Sequence, residues 1–125
     1  MSFIIKNFTK SKLPRLPFVK MAIKVLGDGY EGSLVAVSSR RMRELNRAYR
    51  GKDKGTNILS FPLGKDDGEI FLDIAKARRD APLFGRSPSN FIGFLFIHSL
   101  FHLKGFDHSS TMEKQEKKIR ALFNI

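Results

Sequence analysis

The chain has 125 residues, enough for one domain with a single core but not for two. A hydrophobic share of 42% and a charged share of 28% are those of an ordinary globular protein, and the lack of cysteine excludes disulfides and thiolate metal sites. Lys and Arg number 23 against 12 Asp and Glu, and the resulting net charge of +11 draws polyanions through counterion release, with RNA or DNA the expected partner.

Met1 to Lys10 lacks the long apolar stretch and small-residue cleavage site of a secretory leader, and no apolar run reaches membrane length. A cytoplasmic location with no membrane association is therefore expected. Ser2 to Phe8 reads as the first strand. Leu13-Pro14 opens a helix whose apolar residues Phe18, Met21, Ala22, Val25 and Leu26 share one face, and Gly27 stops it. Asp28 to Gly32 is a turn, and Ser33 to Val37 a short buried strand. Ser38 and Ser39 are suited to cap the next helix, Arg40 to Arg50. Met42, Leu45 and Tyr49 form its expected buried stripe, while Arg40, Arg43, Arg47 and Arg50 fall on another.

Gly51 to Gly55 is a charged turn carrying Lys52 and Lys54, followed by a strand from Thr56 to Pro62. Gly64 to Gly68 reads as a hairpin turn and Glu69 to Ile74 as a further strand. A short helix from Ala75 to Ala81 is closed by Pro82. Ser87-Pro88 then launches a helix to about Lys104 that is apolar on nearly every side, as expected of a helix at the centre of a fold. Gly105 ends it. Ser110 with Glu113 gives a capping-box signal for the last helix, with Met112, Ile119, Leu122 and Phe123 turned inward. The order predicts an α+β domain spanning 1–125, a small mixed four-stranded sheet covered by helices.

All three histidines lie within eleven consecutive residues, His98-Ser-Leu-Phe-His102-Leu-Lys-Gly105-Phe-Asp-His108. Two histidines four apart share a helix face, and a glycine stop lets the backbone bring a third imidazole back toward them. Three protein ligands with one open position characterise a catalytic zinc site, although nickel, cobalt or copper also suit three imidazoles. The competing expectation is a pair of core histidines hydrogen-bonded to backbone. The spacing also matches the metzincin protease pattern H-E-x-x-H-x-x-G-x-x-H, but Ser99 stands where those proteases carry their general base.

These residues and two further segments resemble the YbeY family of bacterial metal-dependent endoribonucleases and rRNA maturation factors. The family signature H-G-x-L-H-L-x-G-Y-D-H is similar to HSLFHLKGFDH at His98 to His108. The segment L-N-x-x-Y-R-x-K-D-K-P-T-D/N-V-L-S-F is similar to LNRAYRGKDKGTNILSF at Leu45 to Phe61, and the family's G-D-I strand to Gly68-Glu69-Ile70. Departures are Ser99 for glycine, Phe106 for tyrosine, Gly55 for proline, Glu69 for aspartate, and a shorter segment before the histidine helix.

The resemblance implies one zinc ion on His98, His102 and His108, a functional arginine at Arg50, and a single metallohydrolase domain. It implies a single-strand-specific endoribonuclease in small-subunit rRNA end processing and ribosome quality control, with the 16S rRNA precursor and the ribosome as partners. A permanent cation at Arg50 suits a scissile phosphate. Asp107 is expected as a cap or a carboxylate supporting a histidine, or else as a proton acceptor. Arg40, Arg43, Arg47, Lys52 and Lys54 are expected to grip the RNA backbone. No residue stands out as general base, so a metal-bound hydroxide or the RNA 2′-hydroxyl is the expected nucleophile. Two other readings stand beside this one: a non-catalytic, zinc-stabilised ribosome-assembly factor that binds rRNA, and a hydrolase of small molecules or peptides.

Overall fold

Strands and helices follow one another as β1 (Ser2–Asn7), α1 (Phe18–Leu26), β2 (Glu31–Ala36), α2 (Ser39–Arg50), β3 (Ile58–Pro62) and β4 (Asp67–Leu72). They continue as α3 (Ile74–Asp80), a 3-10 turn (Ala81–Phe84), α4 (Pro88–Leu103) and α5 (Ser110–Leu122). This is a computed structural model, and it describes residues 2–107 and 109–125. The sheet order is β1-β2-β4-β3. β1, β2 and β4 run parallel, and β3 pairs antiparallel with β4 as the edge strand.

Side chains alternate between the two faces of the sheet, and each face has its own apolar cluster. One face carries Leu34, Ala36, Ile70 and Leu72, packed with residues of α1, α3, α4 and α5. The other carries Val35, Val37 and Leu59, covered by Met42 and Leu45 of α2, with Phe61 and Phe71 half-buried at the margin. Gly68 in β4 has no room for a side chain, because the Tyr30 hydroxyl, a Leu103 methyl and the Phe61 carbonyl already fill the space a Cβ would take. Among the described residues no helix is long and apolar enough to cross a membrane.

The α+β class, the mixed four-stranded sheet and the central apolar helix agree with expectation, and several boundaries move. α1 begins at Phe18, not at Leu13-Pro14: Pro17 keeps the residue before it out of the helical region, so the helix starts only after the second proline. β2 and β4 each begin two residues early, because the parallel pairing Glu31↔Asp67 extends the ladder into the expected turns. Asp73 leaves the expected strand and caps α3, accepting from Lys76 N. Ser109, not Ser110, caps α5. Two inward assignments are corrected. Leu122 is 60% exposed at the end of α5. Tyr49 is 69% exposed, because its neighbour Phe61 lies on the edge strand and no further strand covers the ring.

Phe96 of α4 is buried and meets Phe3 and Phe18 edge-on at 5.9 and 5.0 Å between centroids. Phe96→Ala is expected to lower unfolding free energy by about 3–5 kcal/mol, and Leu122→Ala by no more than about 0.5 kcal/mol, in urea titrations. Similar losses for the two would contradict this account of the core.

Candidate functional site

α4 starts where Ser87 accepts from Asn90 N at 3.2 Å and Pro88 fills the first turn. Phe91, Ile92, Phe96, Ile97 and Leu100 are all but fully buried, so the helix is fixed by packing along its length. His98 and His102 sit one turn apart on it, with rings nearly perpendicular at 88° and centroids 4.5 Å apart. Their Nε2 atoms face each other at 3.0 Å.

The opposite nitrogens are both held. His98 Nδ1 lies 2.8 Å from Glu116 Oε1 of α5, and His102 Nδ1 lies 3.2 Å from the Phe106 carbonyl. The backbone reaches that position because Gly105 takes φ of +100°, a conformation a side chain would oppose. A carboxylate and a carbonyl only accept, so each Nδ1 carries the proton, and in a neutral ring this leaves Nε2 as an acceptor. Two imidazole nitrogens facing each other at this separation suit a shared proton or a cation. Tetrahedral zinc with imidazole bonds of ~2.0–2.1 Å would hold its nitrogens about 3.3 Å apart, close to what is seen. The donor set therefore fits a divalent ion at two positions. His108, the third expected ligand, lies outside the described residues, and among those described no three His, Cys, Asp or Glu side chains converge as a cage.

Glu116 is the residue that sequence reasoning missed. It is nine-tenths buried, with Arg120 Nη1 4.0 Å away on the next turn. The signal was present in the spacing: Met112, Glu116, Ile119 and Phe123 share the core-facing stripe of α5, and a carboxylate there needs a partner. Asp107, expected behind a histidine, is exposed on the wall of the groove described next.

A groove of about 630 Å³ runs past the two imidazoles, with Arg50, Ser60, Ser99 and Asp107 on its walls. Arg50 leaves the end of α2, which Gly51 terminates in the left-handed conformation, and crosses the β3 edge to donate from Nη2 to the Ser60 carbonyl at 2.5 Å. A second groove of about 480 Å³ shares Arg50 and adds Lys52, Lys54 and Lys76. The remaining arginines go elsewhere. Arg43 Nε and Arg47 Nη1 lie 3.0 and 3.9 Å from Asp53 Oδ1, and Arg40 is exposed on α2. The hydrogen bond from Arg43, reinforced by the charges of Arg43 and Arg47, holds the Asp53 carboxyl below the usual carboxylate range.

A sequence model of the family described as endoribonuclease YbeY matches residues 6–124. A protein of Alkaliphilus metalliredigens named endoribonuclease YbeY is 41% identical over 102 residues, covering 73% of this chain and 66% of that protein. One of Bacillus cytotoxicus with the same name is 31% identical, covering 100% of this chain and 99% of that protein. The solution structure of a Thermotoga maritima protein is similar with a TM-score of 0.70 at 27% identity, covering 98% of this chain and 90% of that one.

Long-range proton–nitrogen spectra are expected to show a proton on Nδ1 of both His98 and His102. Glu116→Ala, which strands the His98 N–H, is expected to cost about 1–3 kcal/mol in urea unfolding. Rings without a proton on Nδ1, or a variant as stable as the parent, would contradict the assignment.

Proposed function

The chain belongs to the YbeY endoribonuclease family, and from that premise we propose that it is a zinc-dependent, single-strand-specific endoribonuclease. Its proposed work is small-subunit rRNA end processing and ribosome quality control, on the 16S rRNA precursor and the ribosome. One juxtaposition carries this reading: a permanently charged guanidinium and a pair of imidazoles whose Nε2 atoms face each other line the same open groove.

His98 and His102 would hold the zinc ion through Nε2, with His108 the third donor by its place in the sequence. Bound there, zinc would supply Lewis acidity and an acidified water for phosphodiester hydrolysis. The chain's own groups do the rest. Glu116 keeps His98 in the Nδ1–H form and orients its ring, and the Phe106 carbonyl does the same for His102. Arg50 is tethered to Ser60 through one of its five donors, so the others can grip a scissile phosphate and offset the charge that develops on it. Lys52, Lys54 and Lys76 continue the positive wall, and an RNA strand leaving the groove would meet them next. Arg43 and Arg47, partly neutralised by Asp53, and the exposed Arg40 would add longer-range attraction. The basic balance of the whole chain favours RNA over a small neutral substrate.

His98→Ala, His102→Ala and Arg50→Ala proteins should each lose RNA cleavage, Arg50→Ala by about 10²–10³ in kcat. Metal analysis of the natively purified protein should find zinc, which the histidine variants lose and Arg50→Ala retains. Parent-level cleavage in all three variants would sink the nuclease reading. Single-turnover assays on precursor rRNA, with and without chelator, separate it from a non-catalytic assembly factor, which would bind but not cut at any enzyme level.

A further inference from the structure

α2 covers only part of the second sheet face, and what it leaves bare is aromatic. The exposed Tyr49 ring rests edge-on against Phe61 at 5.5 Å, and Phe61 meets Phe71 edge-on at 5.6 Å. The three rings border a recess of about 330 Å³ together with Arg41, Pro62 and Glu69. The Arg50 guanidinium stands 5.4 Å from the Phe61 centroid, at the edge strand that divides this recess from the histidine groove. Pro62 lines both.

We propose that this recess binds an unpaired nucleobase of the RNA strand whose phosphates pass Arg50. The proposal rests on the nuclease reading and deepens it, because it supplies a means of selecting single strands. Aromatic side chains stack on the face of any base, and a base inside a duplex has no free face to offer. The polar groups are arranged for a base and not for a phosphate. Glu69 is half-buried at the floor, with Ser33 Oγ 3.5 Å from its carboxylate, and it repels a phosphate while accepting from an exocyclic amino group. Arg41 at the rim makes an exposed contact to Glu44 at 3.8 Å, too weak to keep its charge from the backbone on either side of the base. An apolar surface with Arg41 on its rim and Arg50 beside Phe61 at the edge strand, on a chain of net charge +11, matches a polyanion with flat apolar faces.

The test is an abasic scan. Binding of a short single-stranded oligoribonucleotide is followed by fluorescence anisotropy at low salt, before cleavage accumulates, with one base removed at each position in turn. At one position the parent protein should lose about 5–100-fold in affinity. Tyr49→Ala should lose the same with intact RNA and nothing more when that base is also absent, while Tyr49→Phe binds as the parent does. Losses that multiply, or a Tyr49→Ala protein with parental affinity, would overturn the proposal and leave the aromatic surface to a protein partner. If the parent bound the RNA in no form, the nuclease reading would fall as well, so the two failures are distinct.

Discussion

Two imidazole nitrogens face each other 3.0 Å apart, and the surrounding structure is organised to hold them there. Helical spacing alone puts His98 and His102 on one face of α4. It does not aim the rings. Glu116 from α5 and the Phe106 carbonyl, turned back by Gly105, fix both tautomers and both orientations. These anchors are themselves seated by the core: Met112, one turn before Glu116, is buried against it, and Phe106 packs edge-on against Phe101 at 5.5 Å. Both rings are thus positioned by groups that packing elsewhere in the domain holds in place.

The positive charge of the chain is sorted by the same geometry. Four arginines that share a stripe on a helical projection part company in the fold, because Asp53 on the following turn draws Arg43 and Arg47 toward itself. Arg50 sits on the last turn of α2, where the helix ends beside the sheet edge, and its side chain reaches round to the other face. Arg50 is thus the member of that stripe that shares a groove with the histidines, and its backbone carbonyl partner lies on the groove wall.

Much of this could be read from the sequence, where the physics is local. Caps at Ser38 and Ser87, the apolar circumference of α4 and the histidine spacing need only nearest neighbours to interpret. Errors arose where a distant partner decided the outcome. The early starts of β2 and β4 follow from pairing between strands 36 residues apart, which no single segment reveals. The exposure of Tyr49 depends on β3 being the edge strand, a matter of sheet order. Glu116 could have been found, since a carboxylate among Met112, Ile119 and Phe123 signals a buried partner, but which histidine it serves depends on how α5 docks on α4.

The tether between Arg50 and Ser60 has one more consequence. The bonds Leu63 N to Asp67 O and Asp73 N to Asn57 O fix the alternation of the β3–β4 ladder, so that residues 58, 60 and 62 turn their peptide groups outward. Arg50 occupies the carbonyl of Ser60, the Thr56 hydroxyl donates to that of Ile58, and Pro62 has no N–H to offer. An approaching β-strand from another molecule would find few open sites along that border, which guards against aggregation by strand addition. The guanidinium that lines the histidine groove thereby also closes one acceptor on this edge of the sheet.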